Sequence, residues 1–300
     1  MSLTFEQEAS ASDIHHHSLM LATAGSGKTK TIIEKTSRIL KADYSFKVVL
    51  ITFTNAAVNE IRDRLEVTLS QSNFRRTTVM TFDTAFLKQS KAQMNGKLII
   101  GPMFYNLMSR LKIYIQSEGL ILEEIKIDAD LKRTKVTVSD ITNIINNQPT
   151  LHFYTKDEKK TVLDCYKDIK GKNSLYDLKD VAQVAVDGIA SGEIQPLPCS
   201  HLLIDEFQDT DPLQYEWLKL HGLKGIKLTP VGDDDQSIYS WRGARSYETM
   251  LNFKEDFNPN IHMLSKCFRC KEERVNAAKN MIEFNKDRIP KDIVSGIGGG

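Results

Sequence analysis

The stretch from Ser18 to Leu40 constrains this 300-residue chain more than any other. Ser18 to Ala22 reads as a short buried strand, and Thr29 to Leu40 carries a helical apolar pattern. Between them lies Ala22-Thr23-Ala24-Gly25-Ser26-Gly27-Lys28-Thr29, the glycine-rich turn of a P-loop in its required context of strand before and helix after. Gly25 and Gly27 let the backbone curl so that successive N–H groups point inward, and the following helix adds the positive end of its dipole. In such a loop Lys28 reaches the β- and γ-phosphates and the Thr29 hydroxyl ligates Mg²⁺. Ala22 replaces the usual first glycine without adding bulk. A turn that ends in Lys-Thr by coincidence is the competing reading, and the flanking strand and helix weigh against it.

The same alternation continues along the chain. Val48 to Phe53, Thr77 to Thr81, His201 to Asp205 and Lys227 to Gly232 are short, nearly continuous apolar runs, as expected for a parallel sheet buried on both faces. Helical patterns at Asn55 to Leu69, Asp211 to Leu220 and Glu272 to Asn285 alternate with them. The fold class expected is therefore α/β, a P-loop NTPase domain with a parallel sheet. From about Phe86 to Ile189 the strands thin out. Met103 to Ser117, Asp157 to Ile169 and Leu178 to Ala190 read as helices, which suggests a mostly helical insertion before Pro196 and Pro198 return the chain to the sheet.

A P-loop requires a distant acidic partner. Leu202-Leu203-Ile204-Asp205-Glu206 supplies one: a strand ending in two carboxylates, with Asp205 placed to hold Mg²⁺ and Glu206 to orient and deprotonate an attacking water. Capping of the next helix is the alternative use of such acids. The net charge of +1, from 40 Lys and Arg against 39 Asp and Glu, excludes a chain that is basic throughout, but not a local basic groove. Thr84 to Ser117 holds no acidic residue, whereas Asp205-Glu206 and Asp233-Asp234-Asp235 concentrate negative charge. This suggests a magnesium side and a separate anion-binding wall. The longest apolar runs are too short to cross a bilayer, so no membrane partner is expected. Four scattered cysteines do not make a disulfide framework, which points to reduced thiols and a cytoplasmic setting.

Two longer strings narrow the reading. Asp205-Glu206-Phe207-Gln208-Asp209-Thr210, followed by the run Val231-Gly232-Asp233-Asp234-Asp235-Gln236-Ser237-Ile238-Tyr239-Ser240-Trp241-Arg242-Gly243-Ala244, resembles the UvrD/Rep/PcrA group of superfamily 1 DNA helicases. Ile51-Thr52-Phe53-Thr54-Asn55-Ala56-Ala57 is similar to a third signature of that family. Leu264-Ser265-Lys266-Cys267-Phe268-Arg269 is similar to the segment leading into its second motor domain. The resemblance implies a RecA-like ATP-binding domain. It places ATP on Gln7, Ala24, Gly25, Ser26, Gly27, Lys28, Thr29, Lys30, Phe268 and Arg269. Of these, Gln7 would read the adenine edge, Phe268 stack on the ring and Arg269 hold the γ-phosphate. Glu206, Lys28, Gln236 and Arg269 would carry catalysis, and Thr29 and Asp205 the metal. Phe53, Thr54, Asn55, Tyr239, Trp241 and Arg242 would contact DNA, the aromatics by stacking on bases.

The resemblance further implies an ATP- and Mg²⁺-dependent helicase or translocase moving 3′→5′ on single-stranded DNA or at a single-strand/duplex junction. It divides the chain into a first RecA-like part (1–86), a helical insertion (87–190), a second RecA-like part (191–275) and the start of a second motor domain (276–300). Ending there, the sequence is expected to be an N-terminal portion with weak activity alone. A motor subunit of an AddA/RecB-like helicase–nuclease, or a nucleotide-gated DNA-binding module without turnover, are the alternatives, and the oligomeric state stays open. Departures exist. Thr81-Phe82-Asp83 stands where the family shows Phe-His, Lys30 replaces an Arg, and Cys267 and Cys270 flank Phe268-Arg269 with no second pair for a metal. His15-His16-His17 reads as a polar loop.

Overall fold

The computed structural model describes residues 2–118, 120, 136–150, 154–236, 246–285 and 288–297. Six parallel strands form its main sheet: β1 (Ser18–Ala22), β2 (Val48–Thr52), β3 (Thr77–Thr81), β4 (His201–Ile204), β5 (Lys227–Gly232) and β6 (Asn260–Leu264), in the order β3-β2-β4-β5-β1-β6. Met20 pairs with Val231 on one side of β1 and with His262 on the other; Val48 pairs with Thr77 and His201. The central strands are buried at every position, which is why their sequences lack polar alternation. β6 is the strand the apolar runs do not announce. It lies at the sheet edge, its first residues are exposed, and it therefore carries Asn260 and His262.

The described helices of eight residues or more, in chain order, are α1 (Phe5–Ser12), α2 (Lys28–Ala42), α3 (Asn55–Thr68), α4 (Phe82–Ser90), α5 (Pro102–Ser117), α6 (Val138–Ile145), α7 (Lys156–Lys172), α8 (Leu178–Ser191), α9 (Pro212–Leu223), α10 (Ser246–Phe257) and α11 (Glu272–Ile282). Ile32, Ile33, Ile39 and Leu40 of α2 and Val58, Ile61 and Leu65 of α3 form one core cluster with Met20, Leu50, Val79, Leu203 and Val231 of the strands. A second buried group is aromatic: Trp217 of α9 meets Phe82 and Phe86 of α4 edge-on at 5.8 and 5.6 Å, and its Nε1 donates to Gln89 Oε1. No described helix is long and apolar enough to cross a membrane.

Two compact units emerge, one from residues 1–89 with 185–300 and the other from residues 90–184. The second unit is mostly helical. Its core joins Leu107, Met108, Leu111 and Ile115 of α5 to Ile141, Ile144 and Val162. Lys170 bridges Asp177 at 2.7 Å and Asp180 at 2.5 Å, Tyr166 donates to the same Asp177 oxygen, and the lysine lies over the tyrosine ring. A buried cation with two carboxylates and a hydroxyl thus closes the start of α8.

Buried histidines tie the first unit's stability to pH. His221 accepts the Leu197 N–H at one nitrogen while its other nitrogen lies 2.7 Å from the Trp217 carbonyl, an arrangement that fits only the neutral ring. His201 is held between the Ile14 carbonyl and Ser200 Oγ. Burial pushes both down to about 4. A histidine lowered in the native state binds its proton first on unfolding, so stability is lost as pH falls from 6.5 toward 4. Asp205, raised to about 6 by burial and then by Glu206, opposes this with one native-state proton. The net expectation is a loss of roughly 2–3 kcal/mol between pH 7 and 5. Urea midpoints at the two pH values check it, and an unchanged midpoint would refute it.

Candidate nucleotide site

Because every strand of the sheet runs the same way, the carboxyl ends of β1, β2, β4, β5 and β6 bring the sequence motifs to one edge, the edge where open α/β sheets bind ligands. From β1 comes the loop 23–29. Gly25 and Gly27 both adopt positive φ, 74° and 85°, and Gly27 caps α2 from the left-handed region. Neither could carry a side chain. A Cβ on Gly25 would stand 2.7 Å from Arg269 Cβ, and one on Gly27 would stand 2.6 Å from Gln7 Nε2. The loop is anchored at its base, where the Thr23 N–H and hydroxyl both donate to the Leu264 carbonyl, and Phe268 N–H donates to the Gly25 carbonyl.

The charges meet across the sheet. Lys28 Nζ lies 2.7 Å from Glu206 Oε2. Glu206 sits at the tip of β4 with φ at 54°, a left-handed conformation costing roughly 1–2 kcal/mol in a residue with a Cβ. Its own N–H donates to Asp205 Oδ1. Burial alone would raise the Glu206 carboxyl, but Lys28 and the Gln208 amide together hold it below its ordinary value. The neighbouring Asp205 is pushed up instead. The two adjacent carboxylates are thereby pulled apart, Glu206 charged and paired with Lys28, Asp205 half-buried with its carboxyl raised.

The loop's donor set fits a nucleotide polyphosphate with magnesium. The Ser26 hydroxyl is buried without a hydrogen-bond partner, the two glycines shape a cradle that a Cβ would fill, and Thr29 stands at the first turn of α2 beside Lys28.

The remaining expected residues are placed as follows. Gln7 is buried against the loop, its Nε2 donating to the Ser26 carbonyl, while its Oε1 closes a capping box with Thr4 at the start of α1. Arg269 is exposed beside Gly25, and Phe268 is 42% exposed with its ring against Gly296. Ala24 is exposed on the loop. Lys30 turns away and donates to the Ser2 carbonyl. Gln236 donates to Asp233 Oδ2 and makes no contact with Lys28 or Glu206 among the described hydrogen bonds. At the end of β2, Thr54 caps α3 by accepting the Ala57 N–H, Asn55 is exposed, and Phe53 is half-buried with its ring 5.4 Å from Phe82. Tyr239, Trp241 and Arg242 lie outside the described residues.

Two features escape sequence reasoning. Asp233, Asp234 and Asp235 do not form an open magnesium side. Lys291 contacts all three, Arg288 forks onto Asp235 at 3.0 Å through two nitrogens, and the Ile289 N–H donates to Asp234. Cationic partners more than fifty residues away, in the segment that adds Val294–Ser295 beside Lys266–Cys267, have no local signature. Gln208, the second feature, contacts Glu206 and Asp233 at once. Cys267 is buried and Cys270 half-buried, both as free thiols. The three aspartates are the group of metal-type ligands that converges among the described residues, so neither these cysteines nor His15 to His17 gather a ligand set.

Comparison with known proteins agrees with this geometry. Residues 3–258 match the UvrD/REP helicase N-terminal domain. The chain is 30% identical to an ATP-dependent DNA helicase Rep of Buchnera aphidicola subsp. Schizaphis graminum, over 99% of this chain and 46% of that protein. It is 28% identical to an ATP-dependent DNA helicase PcrA of Leuconostoc citreum, over 92% of this chain and 38% of the relative. With Rep of Escherichia coli the figure is 27%, over 94% and 43%. The chain thus spans less than half the length of these relatives. A match that takes in the P-loop, the Asp205-Glu206 strand end and the Asp233 to Gln236 turn on one parallel sheet leaves one assignment: this chain belongs to the UvrD/REP helicase N-terminal domain family.

Proposed function

We propose that this chain is the ATP-binding and DNA-binding part of a helicase that moves 3′→5′ on single-stranded DNA or at a single-strand/duplex junction. The observation that carries the reading is the Lys28–Glu206 pair, held across the sheet beside a glycine cradle and a half-buried Asp205. Residues 1–86 and 191–275 serve as the RecA-like domain, 87–190 as a helical insertion and 276–300 as the entry to a further motor domain.

Lys28 and the loop N–H groups hold the β- and γ-phosphates, and Arg269 provides a planar cationic fork for the γ-phosphate. Thr29 and Asp205 would hold Mg²⁺, which neutralises phosphate charge when bound. Glu206, once Lys28 has turned to phosphate, accepts the proton of the attacking water. Gln7 keeps one amide hydrogen beyond its bond to Ser26, and that hydrogen is available to adenine. On the DNA side, the exposed Asn55 and half-buried Phe53 lie at the end of β2, and Tyr239, Trp241 and Arg242 complete the contacts.

The test is nucleotide binding and hydrolysis with and without an oligothymidylate. Mg²⁺-ATP is expected to bind, with loss of binding in Lys28→Ala, and the oligonucleotide is expected to raise turnover several-fold. Nucleotide binding that survives Lys28→Ala would remove the site assignment, and hydrolysis indifferent to DNA would remove the motor assignment.

A further inference from the structure

The acid-free stretch from Thr84 to Ser117 takes no part in the nucleotide site, and most of it folds into the helical unit of residues 90–184. There it forms one wall of a groove of about 740 Å³, a volume ordinary for a ligand pocket. The end of α7 and the residues just after it form the other wall. The two walls are locked in register. Lys97–Leu98 pairs in parallel with Leu175–Tyr176, and the Lys97 and Ile99 N–H groups each donate at 2.8 Å, to the Ser174 and Tyr176 carbonyls. Gly96 permits the approach, since a Cβ there would stand 2.0 Å from the Ser174 carbonyl oxygen. The groove is therefore preformed.

Three kinds of surface line it. Ile99 and Leu107, both members of the unit's core, make an apolar floor. Met103 and Tyr114 stand at the rim on the same face of α5, each 43% exposed. Lys97 and Arg110 supply positive charge. No carboxylate lines the groove, and neither cation has an ion-pair partner among the described residues. Asn106 also faces the groove, and Asn173 donates Nδ2 to the Ile169 carbonyl while its side-chain oxygen keeps its acceptor capacity.

Such a lining calls for an anion that also brings apolar surface. A phosphate backbone matches it poorly, because nucleic-acid sites are more polar and far more positive than two cations over an apolar floor. A peptide matches every part. A carboxylate can take two bonds from the Arg110 fork, and an apolar side chain can cover the floor. Asparagine amides, with donor and acceptor together, can pair with an extended backbone. We propose that this groove is a docking site for an acidic peptide segment of a partner protein, with an apolar side chain set beside its carboxylates. Arg110 reads the charge, and Tyr114 and Met103 grip the apolar group. The site lies wholly within residues 90–184 and is independent of the nucleotide assignment.

The experiment is fluorescence anisotropy of short labelled peptides on this chain, each with acidic residues flanking one leucine, methionine or phenylalanine. At least one is expected to bind with a Kd well below about 1 mM. Exchanging its apolar residue for serine should weaken binding by about tenfold, as should Arg110→Glu in the protein, with Tyr114→Ala costing about fivefold. Arg110→Gln should weaken binding less than the reversal does, and it keeps the test alive if the reversed charge disturbs the unit. Urea midpoints near that of the wild type confirm that each variant is folded. The absence of peptide binding up to about 1 mM overturns the proposal. So does binding that both Arg110 variants leave unchanged, which puts the peptide elsewhere, and so does a basic peptide bound as well as the acidic ones. An oligothymidylate that displaces the bound peptide, and whose own affinity falls in Arg110→Glu, assigns the groove to nucleic acid and overturns it too.

Discussion

Glu206→Gln is expected to slow ATP hydrolysis by about 10²–10⁴-fold, the usual share of a positioned general base, while nucleotide affinity holds or rises. The two halves of that expectation have separate causes. The amide is isosteric and can occupy the same strained backbone position, but it cannot take a proton from water. Affinity is governed by Lys28, which in the wild type must leave a carboxylate 2.7 Å away before it can serve phosphate. Removing the carboxylate's charge removes that competitor. Single-turnover hydrolysis with saturating oligonucleotide, paired with equilibrium binding of a fluorescent ATP analogue, separates the two. A rate within twofold of wild type would remove Glu206 from catalysis, and a tenfold loss of affinity would mean that the ion pair organises the loop rather than occupying it.

Lys291→Met should have the largest effect on folding, a loss of roughly 3–5 kcal/mol. The Lys291 side chain is 1% exposed and those of Asp233, Asp234 and Asp235 are 4, 1 and 4% exposed. Desolvating three carboxylates is tolerable only with cations in contact, and without Lys291 the Arg288 fork is the cation left to them among the described residues. Against a typical total stability of about 5–15 kcal/mol, such a loss leaves a marginal domain. Urea denaturation measures it. Arg288→Met should cost less, since that side chain is 17% exposed and serves one aspartate. Adding Asp234→Asn to Lys291→Met should recover part of the loss, because the two act on one network. A Lys291→Met protein as stable as wild type would show that the cluster is hydrated rather than buried.

The sheet was legible because burial on both faces removes polar alternation. Ser18–Ala22 and Lys227–Gly232 stand at the limits their apolar runs suggest. β6 was not, because an edge strand answers to solvent on one side and its sequence mixes Asn260 and His262 with Ile261 and Met263. α1 carried a readable signal that a functional expectation displaced: Thr4 and Gln7 have capping-box spacing, and Gln7 fills that role as well as lying against the loop. Lys28 could be singled out at the start of α2, and Asp205 and Glu206 just past the end of β4, as candidates whose roles stay proposals. The partners of Asp233 to Asp235 could not, since a contact between residues so far apart in the chain depends on where the backbone returns. Gln208 lay inside a recognised string, but its work is defined by a backbone N–H that belongs to another strand.

The Lys28–Glu206 pair also sets what the cradle will ignore. A site whose cation already holds an internal anion is screened from within, so an incoming ion gains nothing from Lys28 until it outcompetes a tethered carboxylate at contact distance. A single phosphate or sulfate offers little more than the group it would displace. A polyphosphate with its metal offers several oxygens to the loop at once, along with a cation for the carboxylates left behind. The ion pair is therefore expected to act as a threshold on ligand valence, with inorganic phosphate or sulfate failing to displace a Mg²⁺-nucleotide at equal concentration.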